Sequence, residues 1–556
     1  MIQTLTGFRR VTNSTTSSTE KNTQITAFTP LKRGVFRKLW IANLVSNTGT
    51  WMHDVGAGWL MTSLAPDPFM VSLVQVSVVL PGFLLTLPAG ALADIVDRRF
   101  YLLTAILWMA LMAGGLGLIT ISGIVTPWSL VTLTFGLGIG TAMMMPTFSA
   151  LIPDLVPRKE LTAAVTLSSI SQNITRAVGP AIAGGVIALA GPGPVFLLNA
   201  ISFTAIFIVI HRYRSKQPRS TLPSERFIGA LQTSFRFFRQ SPALQTVMIR
   251  SVAFFIMMSG LFAFLPLIVR QEVGAGPQIY GLLLASLGLG AVTLGLALPR
   301  FRTQFSSDTI LMAGTIIGAL ALLGLAYIRS TILLVPVMFV AGGSWISGVS
   351  TLQVSTQLSL PAWIRARGIS TFMFSFLGSM ALGAASWGRL ASATSTTIAL
   401  SVAVVFGLLF GLIASRWKLS DYAEIDYSVA QPPGEPTSSF PLTPHDGPVM
   451  LNVEYLIDPT DRTAFEEAMR DVRRMRLRNG AVAWGLFQDA DNEHRFIETF
   501  IDPTWLTHLR QQERVTVEDM EFKQVAEAFH RSTNPPKTSH FIARGAPKRR
   551  HYRFRM

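Results

Sequence analysis

The chain has 556 residues, 49% hydrophobic and only 14% charged, and a mean hydropathy of +0.42 is too apolar for a soluble protein with a hydrated surface. It has no cysteine, which excludes disulfides and thiolate metal sites. The net charge of +16 raises a nucleic-acid partner as an option, but residues 1–445 hold 29 Lys and Arg against 14 Asp and Glu while residues 446–556 hold 18 against 17, so the excess belongs to the apolar part.

Residues 1–36 lack the apolar core of a signal peptide and are expected to form a disordered cytoplasmic tail. Twelve apolar runs follow, near 38–62, 70–92, 100–121, 127–150, 161–188, 193–211, 244–268, 279–299, 309–328, 331–356, 369–391 and 395–415, each close to the ~20 residues that span a bilayer. Six runs (37–212), a basic link (213–242) and six more (243–418) predict a polytopic all-α membrane protein built from two similar halves. A faint echo supports the duplication: Pro157 and Pro361 sit in corresponding places after the fourth and tenth runs, each before basic residues.

Basic residues gather on one side of the predicted membrane, among them Arg33, Arg37, Lys38, Arg98, Arg99, Arg158, Lys159, Arg300, Arg302, Arg365, Arg367, Arg416 and Lys418. The opposite loops hold Arg270, Arg329 and Arg389. This asymmetry predicts that both termini are cytoplasmic and leaves no nucleic-acid role.

Two runs carry charge at depth. On a helix the first run aligns Asn43, Asn47, Thr50, Trp51, Asp54 and Gly58, and the fifth aligns Thr162, Thr166, Ser169, Asn173, Arg176 and Pro180. At ~1.5 Å per residue, Asp54 and Arg176 lie roughly 24 and 22 Å from the cytoplasmic side, which makes them candidate partners. A charge at that depth is expensive and is normally paired or facing water. One reading makes Asp54 a proton-coupling carboxylate tuned by Arg176, with His53 as a relay; the other makes the pair a static tie between two helices. Arg250, nearer the end of its run, is expected to snorkel. Asn43, Asn47, Trp51 and Asn173, with Trp345 and Gln353 from the tenth run, are the candidate lining of a substrate cavity. No phosphate-binding loop of the GxxxxGK[ST] type is present, so the energy source is expected to be protons.

"GALADIVDRR" (Gly90 to Arg99) resembles the cytoplasmic loop signature of the major facilitator superfamily, and "RAVGPAIAGG" (Arg176 to Gly185) resembles the Gly-Pro motif of its antiporters. The whole chain resembles the bacterial transmembrane secretion effector branch, related to enterobactin exporters. The resemblance implies the major facilitator fold in the bacterial inner membrane, a small organic substrate such as a siderophore, antibiotic or xenobiotic, export, and no cofactor or metal. It implies a gating latch at Gly90, Asp94, Asp97, Arg98 and Arg99, and a helix interface at Gly179, Pro180, Gly184 and Gly185.

A Pro/Ser-rich linker (419–447) leads into a stretch (448–545) with soluble patterning, followed by a basic tail (546–556). Alternation in "VMLNVEYLI", a helical face of Phe465, Met469, Val472 and Met475 ending at Gly480, and later strands predict the order β, α, β, β, α, β of a ferredoxin-like sandwich. Asp502 is expected to cap a helix that starts at Pro503. The stretch Glu498 to Gln511 resembles the antibiotic biosynthesis monooxygenase group of dimeric α+β barrels. That resemblance implies a pocket around Trp484, His508 and Asn452, or a fold reused for self-association. The alternatives to export are a membrane-tethered enzyme of this kind and a sensor that has lost transport.

Overall fold

The computed structural model describes residues 28–95, 97–212, 237–361, 363–419, 428, 430 and 440–544. The expected terminal tail up to residue 27, most of the basic link, most of the Pro/Ser-rich linker and the basic tail lie outside them. Helices α1 (Gly34–Leu64), α2 (Pro68–Ile95), α3 (Arg98–Ile121), α4 (Pro127–Leu155), α5 (Leu161–Ala190) and α6 (Gly193–Arg212) precede the link. Helices α7 (Pro242–Leu267), α8 (Pro277–Arg302), α9 (Ser307–Tyr327), α10 (Thr331–Leu358), α11 (Arg365–Ala393) and α12 (Thr396–Ala414) follow it.

The helix starts are written locally. Thr126 and Ser241 accept the backbone N–H groups of Ser129 and Leu244 while Pro127 and Pro242 fill the first helical position, where no donor is needed. Among the described residues, eleven helices, α2 to α12, are long and apolar enough to cross a membrane. This differs from the expected twelve. α1 has the length, at 31 residues, but its polar residues Asn43, Asn47, Thr48, Thr50, His53 and Asp54 lower its apolarity.

Packing repeats across the link. α1 packs on α5 and α6, α2 on α4, and α3 on α4 and α6; six positions later, α7 packs on α11 and α12, α8 on α10, and α9 on α10 and α12. The two six-helix groups meet chiefly through α5 with α8 and α2 with α11, pairs that exchange under the same renumbering. A duplicated unit facing its own copy predicts this arrangement.

The C-terminal part holds a four-stranded antiparallel sheet in the order β2-β3-β1-β4, from β1 (Val449–Leu456), β2 (Ala483–Gln488), β3 (Arg495–Asp502) and β4 (Lys537–Ile542). Helices α13 (Arg462–Asn479), α14 (Trp505–Glu513) and α15 (Val517–Glu527) accompany it. Val449, Leu451, Val453 and Tyr455 of β1 and Phe496 and Phe500 of β3 join Phe465, Met469 and Val472 of α13 in one core. Gly480 ends α13 at φ 139°, a conformation that favours glycine. Thr504, not Asp502, caps α14, which starts at Trp505; Asp502 stays in β3, fully buried.

Candidate functional site

α5 passes between the two groups and its exposure falls steadily along the polar stripe. Thr162, Thr166 and Ser169 are exposed, Asn173 and Arg176 half-buried, and Pro180 buried. Beyond that point α5 and α8 touch backbone to backbone. A Cβ on Gly184 would stand 2.7 Å from the Pro277 carbonyl oxygen, and one on Gly281 would stand 2.5 Å from that of Pro180. Small residues are required there because side chains would hold the helices apart. Gly179 faces the other way, against Cβ of Trp51 on α1, and Gly185 meets open space. The Gly-Pro motif thus joins α5 both to α1 and to the opposite group.

At the same end, three polar links run from one group to the other. Arg270, in the π-turn Ile268–Glu272 after α7, donates to Thr62 Oγ1 at 3.1 Å and to Ser63 Oγ, with its guanidinium 5.3 Å from the Trp59 ring centroid. Gln271 Nε2 donates to the Pro66 carbonyl at 3.3 Å, and the Phe69 N–H donates to Ser392 Oγ at 2.9 Å. Trp59 also stacks on Tyr280 of α8, centroids 6.0 Å apart. At the opposite end these ties among the described residues run within a group: Arg33 to Glu160 at 2.9 Å, Arg99 to the His211 carbonyl, Arg302 to Ser350 at 2.8 Å, and Arg250 to Asp308. The groups are clamped at the α1–α2 and α7–α8 loops.

Asp54 and Arg176 do not form the expected pair. Among the described residues Asp54 has no ion pair, and its electrostatic neighbour is the Tyr280 hydroxyl, beside Gly58 one turn along α1. Arg176 lies with its guanidinium 5.6 Å from the centroid of Trp51. Equal depth fixed the height of the two charges but not the direction of their side chains. His53 is fully buried on another face of α1, edge-on to Phe196 at 4.8 Å, away from the stripe. Asn43 is buried, Asn47, Trp51, Asn173 and Gln353 are half-buried, and Trp345 is buried among Phe255, Phe262 and Phe376 in the second group's core.

Arg250 is buried and paired with Asp308, which also accepts the Leu419 N–H at 3.1 Å, so it does not snorkel. In the predicted latch, Asp97 accepts the Phe100 N–H at 2.8 Å as the cap of α3, and Arg99 ties α3 to the end of α6. The surroundings of Gly90, Asp94 and Arg98 lie outside the described residues.

Comparison with known proteins fits this architecture. Residues 25–548 match the major facilitator family described as transmembrane secretion effector. The chain belongs to this family. The uncharacterized MFS-type transporter YfiS of Bacillus subtilis is 24% identical over 386 residues, covering 67% of this chain and 91% of the relative. The Staphyloferrin A transporter of Staphylococcus aureus is 24% identical over 280 residues, covering 50% and 70%. A crystal structure of a bacterial homologue of the human lysosomal transporter Spinster, inward-facing and unoccupied, superposes with a TM-score of 0.57 at 16% identity, covering 71% of this chain and 99% of that one. The protein is a multi-pass secretion effector whose family moves small molecules across the cytoplasmic membrane.

In this transmembrane secretion effector the C-terminal residues singled out from sequence do not converge. Asn452 pairs across strands with Thr499, accepting its hydroxyl at 2.9 Å, whereas Trp484 Nε1 donates to buried Glu498 at 3.0 Å. The register puts Asn452 and Thr499 on one face of the sheet and Trp484 and Glu498 on the other. His508 is buried, its Nδ1 3.0 Å from Asp502 Oδ2. Sequence reasoning also passed over Glu498, whose partner is Arg476, with Nε at 3.0 Å and Nη2 at 3.3 Å. Burial opposes the charge on Arg476, but Glu498 outweighs it and raises the guanidinium above its ordinary value. Burial, helped by Glu498, pushes the Tyr455 hydroxyl well above the ordinary tyrosine range.

Proposed function

We propose that the protein exports a small organic molecule in exchange for protons, with its halves rocking about a central site and Asp54 carrying the proton. α1 is the twelfth span in this reading, both termini are cytoplasmic, and the clamped end faces outward. The substrate cleft therefore opens to the cytoplasm, where an exporter loads. The C-terminal part is read as a ferredoxin-like appendage without catalytic work, suited to self-association.

The observation that carries the reading is Asp54 itself. It lies inside α1 without an ion pair among the described residues, one turn before Gly58, where a Cβ would stand 3.1 Å from the Tyr280 hydroxyl of the other half. A carboxylate answered by a fixed cation would have little reason to take up a proton, whereas one facing a neutral hydroxyl across the moving interface can gain or lose it as access changes. Arg250 and Asp308 offer the contrast, a tied pair inside one half.

The test uses everted vesicles with an imposed proton gradient and a pH-sensitive dye. Siderophores, macrolides and cationic drugs are added in turn to wild type and Asp54→Asn. Substrate-evoked proton release that is lost in the variant, at equal protein level, is the expected result. Release unchanged by the substitution removes Asp54 from the coupling role, and no release with any compound removes the exporter reading.

A further inference from the structure

We infer that Arg176 is the docking group for an anionic substrate, an organic acid whose carboxylate meets the guanidinium while its planar or apolar part lies against Trp51. The inference rests on the transporter reading above and adds the substrate class.

Buried guanidinium groups in this molecule are answered by the protein. Arg250 has Asp308, Arg476 has Glu498, and Arg478 has Glu518 and Asp519. Arg176 differs. Its Nε is buried without a hydrogen-bond partner, as are those of Arg250 and Arg478, but unlike them it makes no ion pair among the described residues. The Nη groups have no hydrogen-bond partner among the described residues and are not among the fully buried unpaired atoms, so they stay accessible. An uncompensated cation at this depth is costly to hold, and a structure that keeps one leaves its counter-charge to come from elsewhere.

The surroundings specify that counter-charge. On the approach, Ser169 and Asn173 of α5 line up below Arg176, and Asn47 lies on the same stripe as Trp51 of α1: neutral hydrogen-bonding groups that neither repel an anion nor replace it. At the level of Arg176 α5 and α8 touch backbone to backbone: a Cβ on Gly288 of α8 would stand 2.8 Å from Cα of Ala177 and 3.0 Å from the Arg176 carbonyl oxygen. A ligand therefore meets the guanidinium on the side of Trp51 of α1, not on that of α8. Arginine presents two parallel N–H donors matched to a carboxylate, and the indole face beside it offers apolar area. A cationic or neutral ligand would leave the guanidinium unanswered.

The test uses the purified full-length protein in nanodiscs, with salicylate as the acid probe and salicylamide as its neutral isostere, read by calorimetry. Salicylate binding that weakens at least tenfold in Arg176→Gln, is only partly restored in Arg176→Lys, which keeps the charge without the two parallel donors, and exceeds salicylamide binding in wild type is the expected result. Asn173→Asp places a carboxylate one turn from Arg176 and is expected to weaken salicylate without removing the arginine, which guards against a folding defect in Arg176→Gln. Equal binding of the two probes, or salicylate binding untouched by both Arg176→Gln and Asn173→Asp, overturns the inference. Flux of a neutral macrolide or of ethidium without any binding of salicylate also overturns it and leaves the exporter reading standing. Arg176-dependent salicylate binding without proton-linked flux of any compound keeps the anion site and removes the exporter reading.

Discussion

Glu498 shows how much one buried side chain can hold. It is fully buried on β3, accepts two N–H groups from Arg476 and one from Trp484, and Arg476 in turn lies 4.2 Å from the Phe500 ring centroid. Removing the charge of one member leaves the other ion uncompensated in the core, which typically costs about 3 to 5 kcal/mol. Glu498→Gln is therefore expected to destabilise the C-terminal part by that order while sparing the helices. Hydrogen exchange on the full-length protein checks it: amides of β1 and β3 should exchange faster in the variant, and those of α7 unchanged. Equal protection of β3 in both proteins would mean that Arg476 finds another partner.

The α5–α8 crossing works at the scale of elements, because two backbones share the space that side chains would fill. Gly184→Val adds branched volume 2.7 Å from the Pro277 carbonyl oxygen, a main-chain atom that cannot swing aside. Overpacking of this kind costs about 1 to 3 kcal/mol, spent here on parting the helices at the clamped end. The chain has no cysteine, so Thr62→Cys, at a position 3% exposed, gives a single label site under that end. An impermeant maleimide should react several-fold faster when Gly184→Val is added, and an unchanged rate would show that the crossing does not control closure. The Gly-Pro motif was legible in sequence because its small residues at helical spacing announce a packing face. Its partners Gly281 and Gly288 were not, since a glycine in an apolar helix does not say which helix comes close. Eleven of the twelve expected spans, the duplication and the strand patterning could be read from apolar runs and alternation. The Asp54 and Arg176 directions could not, because helical spacing gives a face and a depth but not the helix opposite. Asp308 was missed for a similar reason: it lies in the first turn of α9 and meets Arg250 only when α7 and α9 pack.

In the exchange cycle proposed above, the balance between closed and open states is set by what joins the halves at one end, and Arg270 is the most connected of those links. It binds Thr62 and Ser63, lies beside Trp59, and is carried on a π-turn that aims it across the interface. A hydrogen bond to a charged donor contributes ~1.5 to 3 kcal/mol. Partial solvent access puts this cluster at the low end, so Arg270→Gln should shift the closed-to-open ratio by about tenfold. The α5–α8 contact and the Phe69 to Ser392 link remain, so the shift should enlarge the open population without abolishing closure. Spin labels on Ser122→Cys and Ser330→Cys, exposed sites just beyond α3 and α9, report the separation of the halves at this end. The expected outcome is a longer-distance population that grows in Arg270→Gln, with the same two distances as in wild type. A single distance, unchanged by the substitution, would mean that the α5–α8 and α2–α11 contacts alone hold the end shut and that Arg270 follows the motion without biasing it.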